Sequence, residues 1–555
     1  MGSRSLADLL ESPRAPVFCL AVAAVASAAL LLSLDSHLTF VNDDWSVLLD
    51  RRGWSPGTFL APFHEHIILA LVVIYRVLLG IFGMGSALPF LVTSTAVFLL
   101  SVVLLFVYVR RRLGGWAALI AAILILFLGA AFEDLLWAAG IVNFGAVAAG
   151  LGALLALDRD DTRGDRIACA LLVVSLAFSI LGLAFVAGTV VELILNRRPQ
   201  RQRAYVALAP IGAFAVWWLG WGHNAESHFS AHNVVHAPAY VFDAAAAGIT
   251  SLLGLAGGYS GARAPHLDVG RAALAGILAL AVWRLARGAR PSKGMAVAVT
   301  VAVSYWVLAA LNTYVDRPPT SSRYQYASAV FILLIVAEAL RGRRIGARAL
   351  AVAGAVSAAA IVGGITLMHR EYTRLWRPYS DQLRSQLGAI QIAGRSALPS
   401  YVFSFGATQA SASSYLARVA ADGSPAFGES ELLRQSELDR EIADTTNAQA
   451  LGIQLGPRSA VGPVVGCQTL QATTAGLTPV TLLRGSFTLR NLGGSEVGVR
   501  LGRFSDDLPV DFGSLAPGSI ASLAIPSDNS TRPWRLGLVG SDPVRLCTTA
   551  PGGRS

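Results

Sequence analysis

The chain is short of charge, of lysine and of sulfur. Asp, Glu, Lys and Arg together make up 14% of its 555 residues, against about 25% in a soluble domain. That deficit, with 54% of residues apolar, excludes an ordinary water-soluble protein and puts most of the chain in lipid. Lys293 is the only lysine, so the formal net charge of +10 rests on arginines. They cluster in short runs between apolar segments, the pattern of cytoplasmic loops rather than of a nucleic-acid groove. Nucleic acid is therefore not an expected partner. Of the four cysteines, Cys19 and Cys169 fall in apolar runs, where small buried thiols are unremarkable.

Long apolar runs, in contrast, are plentiful. Residues 16–34, 89–109, 116–131, 139–157, 167–180, 182–196, 204–221, 271–288, 295–311, 325–340 and 349–367 read as spans. Most are long enough for the hydrocarbon core; 167–196 reads as two short helices meeting near Gly182. Arg4 and Arg14 before the first run suggest a signal peptide, but the apolar stretch continues through Leu30, Leu31 and Leu32. An uncleaved first span fits better.

Charge sets the topology. Arg110-Arg111-Arg112 and the runs from Arg197 to Arg203, Arg284 to Lys293 and Arg341 to Arg348 belong inside. All four stay inside if 67–83 is a surface helix and 240–258 an interfacial or re-entrant one. The expected architecture is an α-helical polytopic membrane protein of about eleven spans. Its N-terminus is cytoplasmic, and it sits in the inner or plasma membrane.

The expected division is a multi-span domain over 1–368 and an extracytoplasmic α+β domain over 369–555. Residues 372–392 read as an amphipathic helix, 400–455 as mixed, and 460–550 as a β-sandwich-like region of short alternating runs. Cys467 and Cys547 lie in this polar region, and in an oxidising compartment they are expected to form a disulfide.

The ionisable residues that are not in basic runs gather in a few outer loops. Asn42-Asp43-Asp44-Trp45 follows the first span, and His64-Glu65-His66 precedes the surface helix. Glu133 and Asp134 lie between Phe132 and Trp137; His223, Glu226, His228, His232 and His236 fill a later loop. Arg323 and Tyr324 precede a late span. Asp43 and Asp44 either cap the next helix or serve as base and cation ligands beside the bilayer. His64 and Glu65 either cap the surface helix or join a site. His228, His232 and His236 would share one helical face and could hold a metal. Arg323 either snorkels at a boundary or meets an anion such as phosphate.

The order of these elements resembles the GT-C fold glycosyltransferases, over about residues 16–340. Asp43-Asp44 takes the place of that family's acidic residues in its long first outer loop. His64-Glu65-His66-Ile67 stands at the helix-opening element, without its prolines, and Phe82-Gly83 at the closing one. Glu133-Asp134 matches the acidic residue of the second outer loop, and Arg323-Tyr324 an Arg-Tyr before a late span. The resemblance implies hexosyl or pentosyl transfer from a polyprenyl-phosphate sugar to a glycan, lipid or protein acceptor in the cell envelope. It implies a base among Asp43 and Asp44, with Asp44 favoured, and a possible divalent cation on that pair or, more weakly, on His228 and His232. Glu133 and Asp134 would orient the acceptor, and Arg323, Tyr324, His64 and His66 would bind the donor phosphate. A transporter or flippase for a lipid-linked precursor, a polysaccharide polymerase or ligase, and a non-catalytic envelope scaffold remain as alternatives.

Overall fold

The computed structural model describes residues 14–196, 198, 200–258, 266–288, 290–314, 317–405, 408–457, 464–473 and 479–549. Arg4, Arg197 and the start of the expected β-region at 460–463 lie outside them. The chain forms two compact units. The first takes Met1–Leu38, Arg51–Ile81 and Leu88–Trp376; the second takes Thr39–Asp50, Phe82–Ala87 and Arg377–Ser555.

The first unit is helical. Among the described residues, helices long and apolar enough to cross a membrane are Ala15–Asp35, Leu88–Leu113, Gly115–Leu135, Ala138–Leu157, Leu267–Ala286, Lys293–Leu311 and Ala347–Ser396. Local chemistry sets their ends. Pro16 stands in the first turn of Ala15–Asp35, and the Ser292 side chain caps Lys293–Leu311 by accepting the Met295 N–H. The expected pair within 167–196 appears as Thr162–Phe178 and Gly182–Leu195. Helix Leu267–Ala286 buries only Gly270 and exposes Ile277, Leu280, Val282 and Trp283, as a lipid-facing surface would.

Ion pairs draw the four basic runs to one end of this unit. Glu338 binds both Arg112 and Arg341. Glu192 binds Arg203 at 3.2 Å and Lys293 at 3.1 Å. The turn after helix Ala138–Leu157 links the two groups, because Asp158 lies 3.2 Å from Arg112 and Asp160 lies 3.7 Å from Arg198. Glu192 and Glu338, each near the end of an apolar helix, are thereby neutralised by the arginines and lysine that flank the helices.

The segments expected as surface and re-entrant helices each form a helix, Leu69–Phe82 and Ala231–Leu252. Leu69–Phe82 has 14 residues, about 21 Å of helix at 1.5 Å per residue, too short for a core of about 30 Å. Midway along it, Arg76 stacks on Trp54 and Phe59 at 5.2 and 5.7 Å, which lays the helix beside the preceding loop. Helix Ala231–Leu252 both starts and ends at the end opposite the basic runs. Near its start Asn233 donates to the carbonyls of Leu311 and Thr313, and near its finish Ser251 donates to Gln325. It begins earlier than the expected 240–258 because Ser230 caps it, accepting the Asn233 N–H at 3.1 Å. A consequence is that His228 lies before the helix and shares no helical face with His232 and His236.

The second unit joins part of the first loop to the C-terminal region. Trp45 packs edge-on against Phe40 and Tyr415, Tyr379 donates to Asn42 at 3.2 Å, and Thr39 N–H donates to Ser380 Oγ at 2.8 Å. Gly83, at φ +66°, brings the backbone against Asp422, whose carbonyl accepts the Met84 N–H. A Cβ at Gly83 would stand 2.6 Å from that carbonyl oxygen.

Past helix Arg377–Ala393 and the hairpin Val402–Phe405/Thr408–Ser411 comes a sandwich of two antiparallel sheets. The four-stranded sheet runs Val480–Leu482, Trp534–Val539, Val497–Gly502, Val510–Leu515. The five-stranded one runs Leu455–Pro457, Ile520–Ile525, Gly485–Asn491, Pro543–Thr549, Val464–Gln471. Val499, Leu501, Trp534 and Leu536 meet Leu489, Leu523, Val544 and Leu546 in the core between them. Cys467 and Cys547 form a disulfide across neighbouring strands of the five-stranded sheet. It closes an 80-residue separation, which on the chain-entropy account contributes about 4 kcal/mol.

Candidate functional site

Opposite the basic runs, the first unit holds His64, Glu65 and His66 together with Glu133, Asp134, Arg323 and Tyr324. Phe63 and His66 exchange backbone hydrogen bonds at 2.9 Å in both directions, so His64 and Glu65 form the tip of a tight turn. They do not cap the surface helix, which starts at Leu69. His64 takes φ +47°, a conformation that histidine tolerates better than bulky residues do. The turn aims His64 Nδ1 at Glu226, 3.2 Å away, and Glu65 Oε1 at Arg317 Nη1, 2.5 Å away.

Glu65, His66 and Arg317 form a buried charge cluster. Burial alone would raise the Glu65 pKa, but His66 and Arg317 outweigh it and hold the carboxyl below its ordinary value. His66 is pushed down, first by burial and then by the charges of Arg317, His64 and Arg323, against the opposing pull of Glu65. Glu65 is therefore ionised and His66 neutral at pH 7, and the His66 Nδ1 is buried without a hydrogen-bond partner. Thr313 Oγ1 and Tyr240 Oη both donate to the Arg317 carbonyl, fixing the loop that carries it.

The second pair is Glu133 and Arg323. Ser322 Oγ donates to the Ala130 carbonyl at 2.7 Å and accepts the Glu133 N–H at 3.1 Å, pinning the acidic segment to the start of helix Ser322–Ala339. Glu133 then accepts the Arg323 N–H at 3.0 Å and stands 3.4 Å from Arg323 Nε. The Arg323 side chain is 38% exposed. Asp134 accepts from Asn143 at 2.9 Å through Oδ1, while its Oδ2 is buried without a partner. Trp137 Nε1, three residues on, is likewise buried without one. Gly140 permits this fold of the segment, since a Cβ there would meet the Asp134 carbonyl oxygen at 2.1 Å. Tyr324 lies beside Tyr240 and feels the charges of Arg317 and Arg323.

Asp43 and Asp44 belong to the second unit. Asp44 is fully buried, and its Oδ2 accepts the Val41 N–H at 3.0 Å, closing the turn in which Asn42 sits at φ +46°. Asp43, at the start of helix Asp43–Asp50, is partly exposed. The histidine set does not converge on a metal. His232 and His236 stack at 4.0 Å, whereas His228 lies against Tyr314 and Glu226. Among the described residues, the one grouping of three candidate metal ligands is Glu437, Glu441 and Asp507 in the second unit.

Sequence reasoning missed Arg317, though the signal was present. It is an arginine in the same loop as Arg323, and the charge rule that singled out Arg323 applies equally to it. Tyr240, Asn143 and Ser322 had no comparable signal, because polar residues in apolar helices gain meaning only from their neighbours.

The fold and the paired charges define a multi-pass helical membrane protein with a C-terminal β-sandwich and a polar cluster at the helix ends opposite its basic loops. No protein-family model matches the sequence, and no curated protein sequence matches it. Among solved structures, the chain is similar to ArnT from Cupriavidus metallidurans bound to undecaprenyl phosphate. The two are 16% identical with a TM-score of 0.41, over 74% of this chain and 85% of that one.

Proposed function

We propose that this protein is a GT-C-type membrane glycosyltransferase, moving a sugar from a polyprenyl-phosphate donor to a cell-envelope acceptor on the outer face of the membrane. The observation that carries this reading is the position of Arg317 and Arg323, each beside a carboxylate, at the end of the helical unit opposite all four basic runs. If those runs are cytoplasmic, the two arginines face outward, where topology alone does not call for them. An anionic substrate does.

In the proposed reaction an acceptor hydroxyl oxygen attacks the anomeric carbon and the bond from that carbon to the phosphate oxygen breaks. The hydroxyl proton passes to a carboxylate, and polyprenyl phosphate leaves with the electron pair. Arg323 suits the departing phosphate better than Arg317, because its Nε contact with Glu133 is long and its side chain is partly exposed. Arg317 is buried against Glu65 and would hold the loop and its positive potential in place. Asp134 Oδ2 and Trp137 Nε1, an unmet acceptor and an unmet donor, would orient the acceptor hydroxyls.

The base falls to Asp43 rather than Asp44. Asp44 is fully buried, whereas Asp43 is partly exposed. For the same reason the pair offers a divalent cation a single accessible carboxylate, and no step is routed through a metal. His64 and His66 would lend polar contacts beside the phosphate.

One observation favours the transport alternative. Asp35, at the end of the first span, is buried with neither carboxylate oxygen hydrogen-bonded, as a proton-relay residue would be. Glu192 and Glu338, in contrast, are locked in ion pairs.

The test is transfer from radiolabelled polyprenyl-phosphate sugars by the purified full chain in nanodiscs. Asp43→Asn should lower the rate about 10²–10⁴-fold, and Asp35→Asn should leave it near wild type. Wild-type transfer by the Asp43→Asn/Asp44→Asn double variant would end the assignment. A chain that moves intact lipid-linked sugar across vesicles without transferring it would establish the transport alternative.

A further inference from the structure

The β-sandwich unit holds a cavity of about 250 Å³ lined by Arg440, Arg503, Arg532, Arg535, Thr481 and Asp506. Four guanidinium groups around one small space is an unusual expense of charge, and the surrounding structure is built to keep them there. Asp444 is the anchor. Its buried carboxylate accepts the N–H groups of Arg503, Phe504 and Ser505 and the Ser505 hydroxyl, at 2.5–3.1 Å. That wraps the 503–506 loop around one acid and sets the backbone from which Arg503 and Asp506 project. The Arg503 guanidinium stacks 4.3 Å above the Trp534 ring, and Arg535 Nη2 donates to the Ser505 carbonyl.

These arginines are only partly satisfied. Arg503 is 4% exposed and binds Asp528 through Nη1, yet its Nε is buried with no hydrogen-bond partner. The Nε groups of Arg440 and Arg535 are buried and unpartnered as well. Arg440 is shared between Glu437 and Asp506, while Arg532 and Arg535 form no ion pair among the described residues. A buried N–H donor without an acceptor costs about 1–3 kcal/mol. Four guanidinium groups set against three carboxylates, Glu437, Asp506 and Asp528, leave the cavity with an excess of positive charge.

We propose that this cavity binds a phosphate group carried on a sugar or polyol of the cell envelope. The choice of phosphate follows from the donors. One guanidinium fork satisfies a carboxylate, whereas a tetrahedral oxyanion with three terminal oxygens accepts from several forks at once. The volume, about 250 Å³, holds a phosphate with part of its sugar and is small beside the pockets of about 300–1,000 Å³ that bury drug-sized ligands. The exposed Thr481 and Arg532 mark the mouth. The cavity lies wholly within the second unit, and the inference stands apart from the transfer reaction.

The experiment uses the full chain in nanodiscs at constant ionic strength, with binding read by calorimetry and by thermal shift. The probes are inorganic phosphate, glucose 1-phosphate, glucuronate and glucose. Glucose 1-phosphate should bind at least tenfold more tightly than glucuronate, and glucose not at all. Arg532→Gln and Arg535→Gln should each weaken glucose 1-phosphate tenfold or more. Arg532 is exposed, so its variant keeps the fold and preserves the test if Arg535→Gln unfolds. Binding unchanged in Arg532→Gln, no phosphate binding by wild type, or equal affinity for glucuronate would overturn the proposal. Binding of inorganic phosphate without glucose 1-phosphate would overturn the sugar-borne ligand.

Discussion

Glu133 accepts the backbone N–H of Arg323 at 3.0 Å and stands 3.4 Å from its Nε, so one carboxylate sets both the main chain and the side chain of that arginine. If Arg323 meets the leaving phosphate, Arg323→Gln should lower kcat about 10²–10³-fold, the usual effect of removing one donor from developing charge. Arg323→Lys should recover part of the loss, since it restores charge but not the fork. Glu133→Gln keeps the shape of the contact and should act mainly on KM. Transfer kinetics at saturating acceptor would separate the three; equal kcat in wild type and Arg323→Gln would remove Arg323 from the reaction.

The Glu65–His66–Arg317 cluster predicts a pH dependence of stability. Glu65 titrates below its ordinary value of about 4.3. Its stabilisation is therefore complete above that pH and lost as pH falls through the lowered folded value. His66 is also lowered, from an ordinary value of about 6.5. Because the unfolded chain takes up its proton first, the His66 contribution is present above about pH 6.5 and fades on acidification. Both slopes have one sign, so the melting temperature should fall from pH 7 downward. His66→Gln should flatten the decline between pH 5 and 7, and Glu65→Gln the part below about pH 4.3. A decline unaltered by both variants would mean that the cluster does not set the acid limb.

Much of this architecture was legible because charge placement and helix length are linear signals. The 67–83 segment reads as a surface helix from parity alone; the structure gives it a 14-residue helix whose Arg76 stacks on Trp54 and Phe59. The basic runs are readable as a set, but their ties to Glu338 and Glu192 are not, because those pairs join residues far apart in sequence. The attachment of Thr39–Asp50 to the C-terminal unit was not legible. It depends on Trp45 finding Tyr415 and Asn42 finding Tyr379, contacts more than 330 residues apart in sequence. The arginine cavity had no signal either, for its members are scattered from Arg440 to Arg535 and only the loop around Asp444 assembles them.

That loop gives a stability prediction. Asp444→Ala removes the acceptor of three backbone N–H groups and the Ser505 hydroxyl at once. At about 1–3 kcal/mol for each buried group left unpaired, partly relieved by water, the loss should be about 3 kcal/mol or more. Asp444→Asn keeps one carbonyl oxygen and should cost less. Burial raises the Asp444 pKa despite these bonds, so part of the native cost is desolvation, which Asn avoids. Thermal unfolding of the full chain would measure both; equal stability of Asp444→Ala and wild type would show that the loop holds itself.

Orientation can be tested with two single cysteines, because the helical unit has chemically distinct ends. Trp54 is 82% exposed beside helix Leu69–Phe82, while Arg343 is exposed in the basic run that follows Glu338. With Cys19 and Cys169 replaced by Ser, a membrane-impermeant maleimide should label Trp54→Cys in intact cells. Arg343→Cys should react only after permeabilisation. The pair also tests the surface helix. If Leu69–Phe82 crossed the bilayer, one more crossing would separate residue 54 from Arg110-Arg111-Arg112. Trp54 would then share a side with Arg343, since Glu338 joins that triplet to the last basic run. Labelling of both cysteines from the same side would thus overturn the surface helix, while a reversed pattern would invert the protein in the membrane and place Arg317 and Arg323 in the cytoplasm.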